Sequence, residues 1–415
     1  MSAAPAAGQR VPAFLESATP AWANSGTEAV YLQKFAVPYE YPVYFTERLF
    51  DRDNPVFVQT LARREPTKRH RFFVYVESNV AASWPSLIHE IAAYSENHAD
   101  NLELVGRPEI IAGGEQVKNS PDLVTQLQRQ LCDLGIDRHS YVVAIGGGAF
   151  LDMIGYVAAT THRGLRHIRV PTTVLAQNDS GVGVKNGVNA FGIKNLVGSF
   201  APPFAVLNDM AFLRTLQARD RVAGIAEAVK VALIRDGEFF EWLEANAEKL
   251  HACESTATSI MIRRCAELHM RQIAHGGDPF ESGSARPLDY GHWSAHKLEA
   301  LTSHELRHGE AVAIGLALDT RYSVQIGMLE RGADDRVFRL LKTIGFFLWH
   351  PALEMRTPSG EWSLLRGLEE FREHLGGELT ITLLRGIGRG EEVHHMDKNE
   401  ILQAMAWLRR RETGQ

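Results

Sequence analysis

Lys185 and Lys194 stand in the stretch GVGVKNGVNAFGIKN, from Gly181 to Asn195, with no other charge beside them. Glycine lets a backbone approach a ligand closely and lysine supplies a point charge, so the pattern suits an anion. A second candidate is Gly146-Gly147-Gly148, between the apolar run YVVAI and a helical segment that carries Asp152. A glycine turn between strand and helix lets a pyrophosphate rest on the unpaired N–H groups of the helix N-terminus. The plainer alternative is a tight turn with no ligand. GGEQVK, from Gly113 to Lys118, repeats the glycine turn with an acid and a base, or is an exposed polar loop. In AEAVK, Glu227 and Lys230 lie three residues apart on one helix face, as many surface ion pairs do. His292 and His296 lie four apart, and His308 precedes an apolar helical run. Two histidines and a carboxylate are a common ligand set for a catalytic zinc that keeps an open position. Spacing alone leaves open whether these side chains meet.

The elements that must position these residues follow from the hydrophobic pattern. HRFFVYVESNV reads as a buried strand, and YVVAIGGGAFLDMIGYVAATTHRG as strand, turn and helix. WPSLIHEIAAYSENHA has helical periodicity, and Pro121 opens the amphipathic helix PDLVTQLQRQLCDLGI. LELVGRPEIIAGGEQVKNS is expected to hold a strand pair and a turn, and HIRVPTTVLA a further strand. VYLQKFAVPYEYPVYFTERLF alternates like a hairpin. Strands alternating with helices imply an α/β fold with a parallel sheet covered on both faces. From about Ala205 onward every segment has helical period, and the tail GEEVHHMDKNEI is expected to form a turn and a closing helix.

A chain of 415 residues is too long for one core. The expected division is a loose arm over residues 1–30, an α/β domain over 31–205 and a helical domain over 206–415. The net charge of −6 and the lack of a Lys/Arg stripe argue against nucleic-acid binding. Three scattered cysteines fit a reducing compartment, and the N-terminus lacks a secretory pattern. No uncharged apolar run is long enough for a membrane span, so a cytoplasmic protein without a membrane partner is expected.

In this order, GGGAFLDMIGYVAATTHRG, VPTTVLAQNDSGVGVKNGVNAFGIKNLVGSF, AGIAEAVK, YGHWSAHKLE and LRHGEAVAIG resemble the sugar phosphate cyclase superfamily, of which 3-dehydroquinate synthase is the best-known member. The likeness spans roughly Val74 to Leu318. It implies an N-terminal Rossmann-like domain that binds NAD and a helical C-terminal domain that holds Zn2+ or Co2+. By motif match, Glu227, His292 and His308 take the metal-ligand places. Gly147, Gly148 and Asp152 take the NAD pyrophosphate turn, with Glu115, Lys118, Thr172 and Thr173 also at the cofactor. Asp179, Lys185, Lys230 and His296 fall on catalytic positions, and Lys194 and Asn195 on substrate-pocket positions. Arg163 matches an arginine that reaches the phosphate of a neighbouring subunit's substrate, which implies a homodimer. The implied reaction turns a seven-carbon sugar phosphate into a carbocycle, with phosphate lost and NAD regenerated.

The chain departs from 3-dehydroquinate synthases where these hold a substrate carboxylate. Their R-x-x-L-N-F-G-H reads ARPLDYGH here, so Arg286 is shifted by one place and Asp289 replaces an asparagine. Cys265-Ala266-Glu267 stands where K-A-x-V-V is expected, which puts a second acid, Glu267, near the same place. Acids there repel an anion. GVGVK in place of SVGGK points the same way, and the usual C-terminal DKK is missing, with Arg372 or His374 as substitutes. The substrate expected is sedoheptulose 7-phosphate, as in the 2-epi-5-epi-valiolone synthases. The alternatives are a 3-dehydroquinate synthase acting on 3-deoxy-arabino-heptulosonate 7-phosphate, a polyol dehydrogenase and a non-catalytic homologue.

Overall fold

The computed structural model describes residues 32–191, 193–280, 287–374 and 377–414. The chain divides into two compact units, Met1–Glu40 and Tyr41–Gln415. In the first, residues 32–40 form no helix or strand. Every described helix and strand lies in the second unit.

Its sheet has seven strands, all paired in parallel: β1 (Val43–Thr46), β2 (His70–Glu77), β3 (Leu102–Leu104), β4 (Glu109–Ile111), β5 (Tyr141–Gly146), β6 (Arg166–Pro171) and, after an intervening ribbon of two strands, β9 (Ala205–Asp209). The spatial order is β1-β9-β6-β5-β2-β3, with β4 also on β2. Side chains alternate across a strand, so a strand buried on both faces must be apolar throughout. On β2, Phe72, Val74 and Val76 enter one core while Phe73 and Tyr75 enter another. On β5, Tyr141, Val143 and Ile145 share the first core, and Val142 and Ala144 the second. Helix Pro121–Asp133, with proline at its first turn, and helix Gly148–Thr160 cover the second face.

Three expectations change. The hairpin expected over residues 30–50 is absent from its described residues: β1 pairs in parallel with β9, 163 residues away (Val43 to Val206). The strand pair expected after Leu102 is two short strands that each add to β2, β3 near its start and β4 near its end. The change to helix also comes later than Ala205, because Ala205–Asp209 is itself a strand of the sheet and its five residues are buried.

The ribbon is the larger surprise. The glycine-rich segment that carries Lys185 and Lys194 is the antiparallel pair β7 (Lys185–Ala190) and β8 (Ile193–Phe200). Glycine and asparagine disfavour strands, so the sequence hides it. What pins it is Arg169, fully buried on β6. Its guanidinium donates to the carbonyls of Gly181 (3.2 Å), Gly183 (2.8 Å) and Lys185 (2.9 Å) and to Asn186 Oδ1 (2.6 Å). Gly187 faces Gly198 across the pair, and a Cβ on Gly198 would lie 2.5 Å from the Asn186 carbonyl oxygen.

The rest is mainly helical around one large core. Helix Ile225–Arg235 is buried continuously from Ile225 to Ile234. Helices Ser255–His275, His292–Leu301 and His308–Gln325 surround it. A small antiparallel pair, β10 (Ile381–Gly386) and β11 (Arg389–Val393), lies in this helical half, where only helix was expected. The tail then turns into helix Lys398–Thr413. No described helix is long and apolar enough to cross a membrane.

Candidate active site

A cleft of about 1730 Å³ is lined from one side by the ends of the parallel strands and the ribbon, and from the other by the helices. At the strand side, β5 ends at Gly146 and helix Gly148–Thr160 starts at once, so its first N–H groups face the cleft. The Gly147 N–H donates to Glu77 Oε2 at 2.7 Å. A Cβ on Gly113 or Gly146 would lie 2.0 or 2.8 Å from a carboxylate oxygen of Glu77, so the glycines make room for that acid. Thr172 donates its N–H to the Gly146 carbonyl, and Thr173 Oγ1 caps helix Val174–Asn178 by accepting from Ala176 N–H. Lys118, 2% exposed, pairs with Asp152 at 2.9 Å and contacts Asn195 Oδ1. Asn195, expected at the substrate, therefore stands with the cofactor-end residues, in a left-handed conformation (φ 55°). Glu115 keeps a buried Oε1 with no hydrogen-bond partner among the described residues.

At the helical side Glu227 is fully buried. Its Oε1 lies 3.2 Å from His308 Nε2 and 3.5 Å from His292 Nε2. One ligand atom of each residue lies within 4.8 Å of the others. The His292 Nδ1–H donates to the Tyr290 carbonyl (3.0 Å), and His308 Nδ1 faces Glu299 Oε2 (3.0 Å). Both imidazoles thus present Nε2 to the same carboxylate. Burial disfavours a charged His308, yet Glu299 and Glu227 outweigh burial and raise its pKa to about 9. The place is built to hold a positive charge, and two imidazoles with a carboxylate fit a divalent ion. His296 completes a triangle of rings, its centroid 5.3 Å from that of His292 and 6.1 Å from that of His308.

Lys230 contacts Glu227 Oε2, and Asp179 Oδ1 lies 4.0 Å from its ammonium. Burial works to lower the Lys230 pKa, but the two acids prevail and raise it, so the ammonium stays charged. Burial likewise would raise the Asp179 pKa, and Lys230 and His269 together lower it. Lys194 reaches from β8 to Glu299 Oε1 at 3.1 Å. Lys185, exposed at the start of β7, lines the cleft opposite Asp289; burial would raise the Asp289 pKa, and Lys185, His292 and His296 pull it down.

Not every expected residue comes together here. Arg163 is exposed, in a left-handed turn (φ 63°) after helix Gly148–Thr160, and is not part of the cleft lining. Arg286 lies outside the described residues. Arg372 pairs with Glu369 on an exposed face, away from the cleft, and His374 is not described at side-chain level. Glu267 is not part of the cleft lining and pairs with Arg264 and Arg271, so of the two expected acids Asp289 is the one in the cleft. Cys265 is buried close to Asp179 and Glu227, and burial first, then those acids, raise its pKa.

Three residues escaped the sequence reading. Glu77 carried a signal: an acid at the end of the strand next to the glycine-turn strand is where dinucleotide folds hold ribose hydroxyls. His269, whose Nδ1 lies 2.7 Å from Asp179 Oδ1, and Glu299 have partners 90 and 105 residues away, so local spacing did not reveal them.

Residues 109–223 match the family described as 3-dehydroquinate synthase N-terminal, and residues 224–360 the family described as 3-dehydroquinate synthase C-terminal. The 3-dehydroquinate synthase of Pelotomaculum thermopropionicum (strain DSM 13744 / JCM 10971 / SI) is 35% identical over 319 residues, 75% of this chain and 83% of that protein. The structure of ValA, the 2-epi-5-epi-valiolone synthase of Streptomyces hygroscopicus subsp. jinggangensis 5008 with NAD+ and Zn2+ bound, is similar with a TM-score of 0.79 and 27% identity, over 92% of this chain and 100% of that one. A 2-deoxy-scyllo-inosose synthase complexed with carbaglucose-6-phosphate, NAD+ and Co2+ shares the fold, with a TM-score of 0.70 and 24% identity over 88% of this chain and 95% of that one. The chain belongs to the 3-dehydroquinate synthase family and is an enzyme of the sugar phosphate cyclase type.

Proposed function

We propose that this enzyme uses NAD and one divalent ion, zinc or cobalt, to convert sedoheptulose 7-phosphate into a valiolone-type C7 cyclitol with loss of phosphate. The observation that carries the choice of substrate is the Asp289 carboxylate in the cleft, facing Lys185, His292 and His296. A hydroxymethyl group can donate to a carboxylate, whereas a substrate carboxylate meets a like charge. The likeness to the 2-epi-5-epi-valiolone synthase supports the same reading.

Glu227, His292 and His308 would hold the ion. Gly147, Gly148, Asp152, Glu115, Lys118, Thr172, Thr173 and Glu77 would hold the dinucleotide, with Glu77 on ribose hydroxyls. When bound, these groups supply a recycled hydride acceptor and a Lewis acid for a substrate hydroxyl. The protein's own residues do the rest. Lys230, a charged donor beside Glu227, hydrogen-bonds the hydroxyl that reacts. Asp179, fixed by His269, orients the neighbouring hydroxyls. Lys185 and Lys194 offer positive charge, and His296 an imidazole donor, to the departing phosphate, where charge grows as the bond breaks. Holding both ends of the opened chain in one cleft makes ring closure intramolecular. Arg163, exposed and outside its own cleft, reaches the phosphate in a second copy, so the active form is a homodimer.

The identity to proteins named 3-dehydroquinate synthase favours a second reading, with 3-deoxy-arabino-heptulosonate 7-phosphate as substrate. Phosphate release measured with each sugar phosphate separates the two. The proposal expects the larger kcat/KM with sedoheptulose 7-phosphate, and the reverse order defeats it.

A further inference from the structure

Two groups of ligand-type atoms meet at His308. One is Glu227, His292 and His308, the other His296, Glu299 and His308, each within 4.8 Å. A neutral imidazole that binds an ion through one nitrogen carries its proton on the other, and an acceptor there fixes the ring. His308 turns Nε2 to Glu227 and Nδ1 to Glu299. His292 turns Nε2 to Glu227 and Nδ1 to the Tyr290 carbonyl. Two rings thus converge on Glu227, each braced from behind. Glu299 is 4% exposed and both of its oxygens are engaged: Oε2 lies 3.0 Å from His308 Nδ1, and Oε1 accepts from Lys194 at 3.1 Å. Lys194 arrives from the ribbon, far from the helices in sequence.

We infer that Glu299 is a positioning residue outside the ligand set, which holds His308 with Nε2 toward the ion and, through its other oxygen, sets Lys194 in the cleft. This rests on the metal-dependent reading above. One buried carboxylate then serves the metal site and the ribbon together. Glu299→Gln keeps the shape but replaces one acceptor by an NH2 group, so His308 loses its acceptor or Lys194 loses its counter-charge.

The test is a Co2+ titration of the metal-free full-length chain, followed by visible absorption and by competition with a chelator. Wild type, Glu299→Gln and Glu299→Asp are compared, with NAD binding and thermal unfolding as checks of the fold. The wild type is expected to take up one Co2+ per chain. Glu299→Gln should bind it roughly 10–100-fold more weakly, with unchanged band positions because the ligands themselves are intact. Glu299→Asp, which keeps the charge, should recover part of that loss and stands in if the glutamine variant does not fold. Affinity within about twofold of wild type in both variants overturns the inference, since a lost bracing group should weaken binding far more than that. A shifted cobalt spectrum in Glu299→Gln also overturns it, by making Glu299 a ligand. Absence of Co2+ uptake by the wild type defeats the metal-dependent reading itself and the inference with it; normal wild-type uptake with unaffected variants removes the inference alone.

Discussion

Lys230 is the side chain on which turnover should depend most. Lys230→Met should lower kcat by roughly 10²–10⁴-fold, as expected for a donor at the reacting hydroxyl, while NAD binding and Co2+ uptake persist; steady-state kinetics beside a metal titration would check this. Asp289→Asn should move the ratio of kcat/KM toward 3-deoxy-arabino-heptulosonate 7-phosphate by about tenfold, the effect of removing roughly 1.4 kcal/mol of repulsion. A different acid governs stability. Asp319, on helix His308–Gln325, is fully buried, its Oδ1 accepting from Trp293 Nε1 of helix His292–Leu301 at 2.9 Å, and burial lifts its pKa from 3.8 to about 7. The folded state therefore holds this proton more tightly than the unfolded state does. Its contribution is full below pH 4 and is lost as the pH rises through 7, on the order of 1.4 kcal/mol per pH unit across that window. Asp319→Asn should lack this dependence, so urea unfolding at pH 5 and pH 8 should show wild type falling relative to the variant. Glu227, His292 and His308, singled out by residue type and motif match, do come together in the fold. His269, Glu299 and Asp319 were not legible in the sequence, because each acts through a partner brought near only by folding.

At the level of elements, the site depends on how closely two helices approach. Gly291 has φ 76°, and a Cβ there would lie 2.9 Å from Leu316 N; a Cβ on Gly315 would lie 2.1 Å from the Gly291 carbonyl oxygen. These glycines bring helix His308–Gln325 against the start of helix His292–Leu301, and so bring His308 to His292. Gly315→Ala should force them apart, with about 1–3 kcal/mol lost from overpacking and weaker Co2+ binding; thermal unfolding and the metal titration would both register it. Strands β2 and β5 could be read from the sequence because apolar runs buried on both faces leave a plain signature. The β7–β8 ribbon could not. Its strand form comes from the carbonyls and the Asn186 side chain gathered by Arg169, and not from the preferences of its own glycines and asparagines. The same holds for β1, whose partner β9 lies on the far side of the other strands in sequence.

For the whole molecule, the α/β sheet followed by a mainly helical half was visible in the change of periodicity, whereas the cleft between strand ends and helices emerged only once distant segments were in place. If Arg163 serves a second copy, two inactive variants should rescue one another. Mixing Lys230→Met with Arg163→Ala chains should restore roughly a quarter of wild-type activity through mixed dimers that keep one complete site; an Arg163 that serves its own cleft would give no rescue. The central claim is that one ion at Glu227, His292 and His308 works beside a nicotinamide that is returned to its starting state in every cycle. The most direct measurement is to supply sedoheptulose 7-phosphate, zinc and a small amount of NAD, and to follow phosphate and NADH together. Phosphate released in large excess over the NAD present, with no net NADH, is the predicted result. NADH accumulating in step with product, or no phosphate release, would contradict the account.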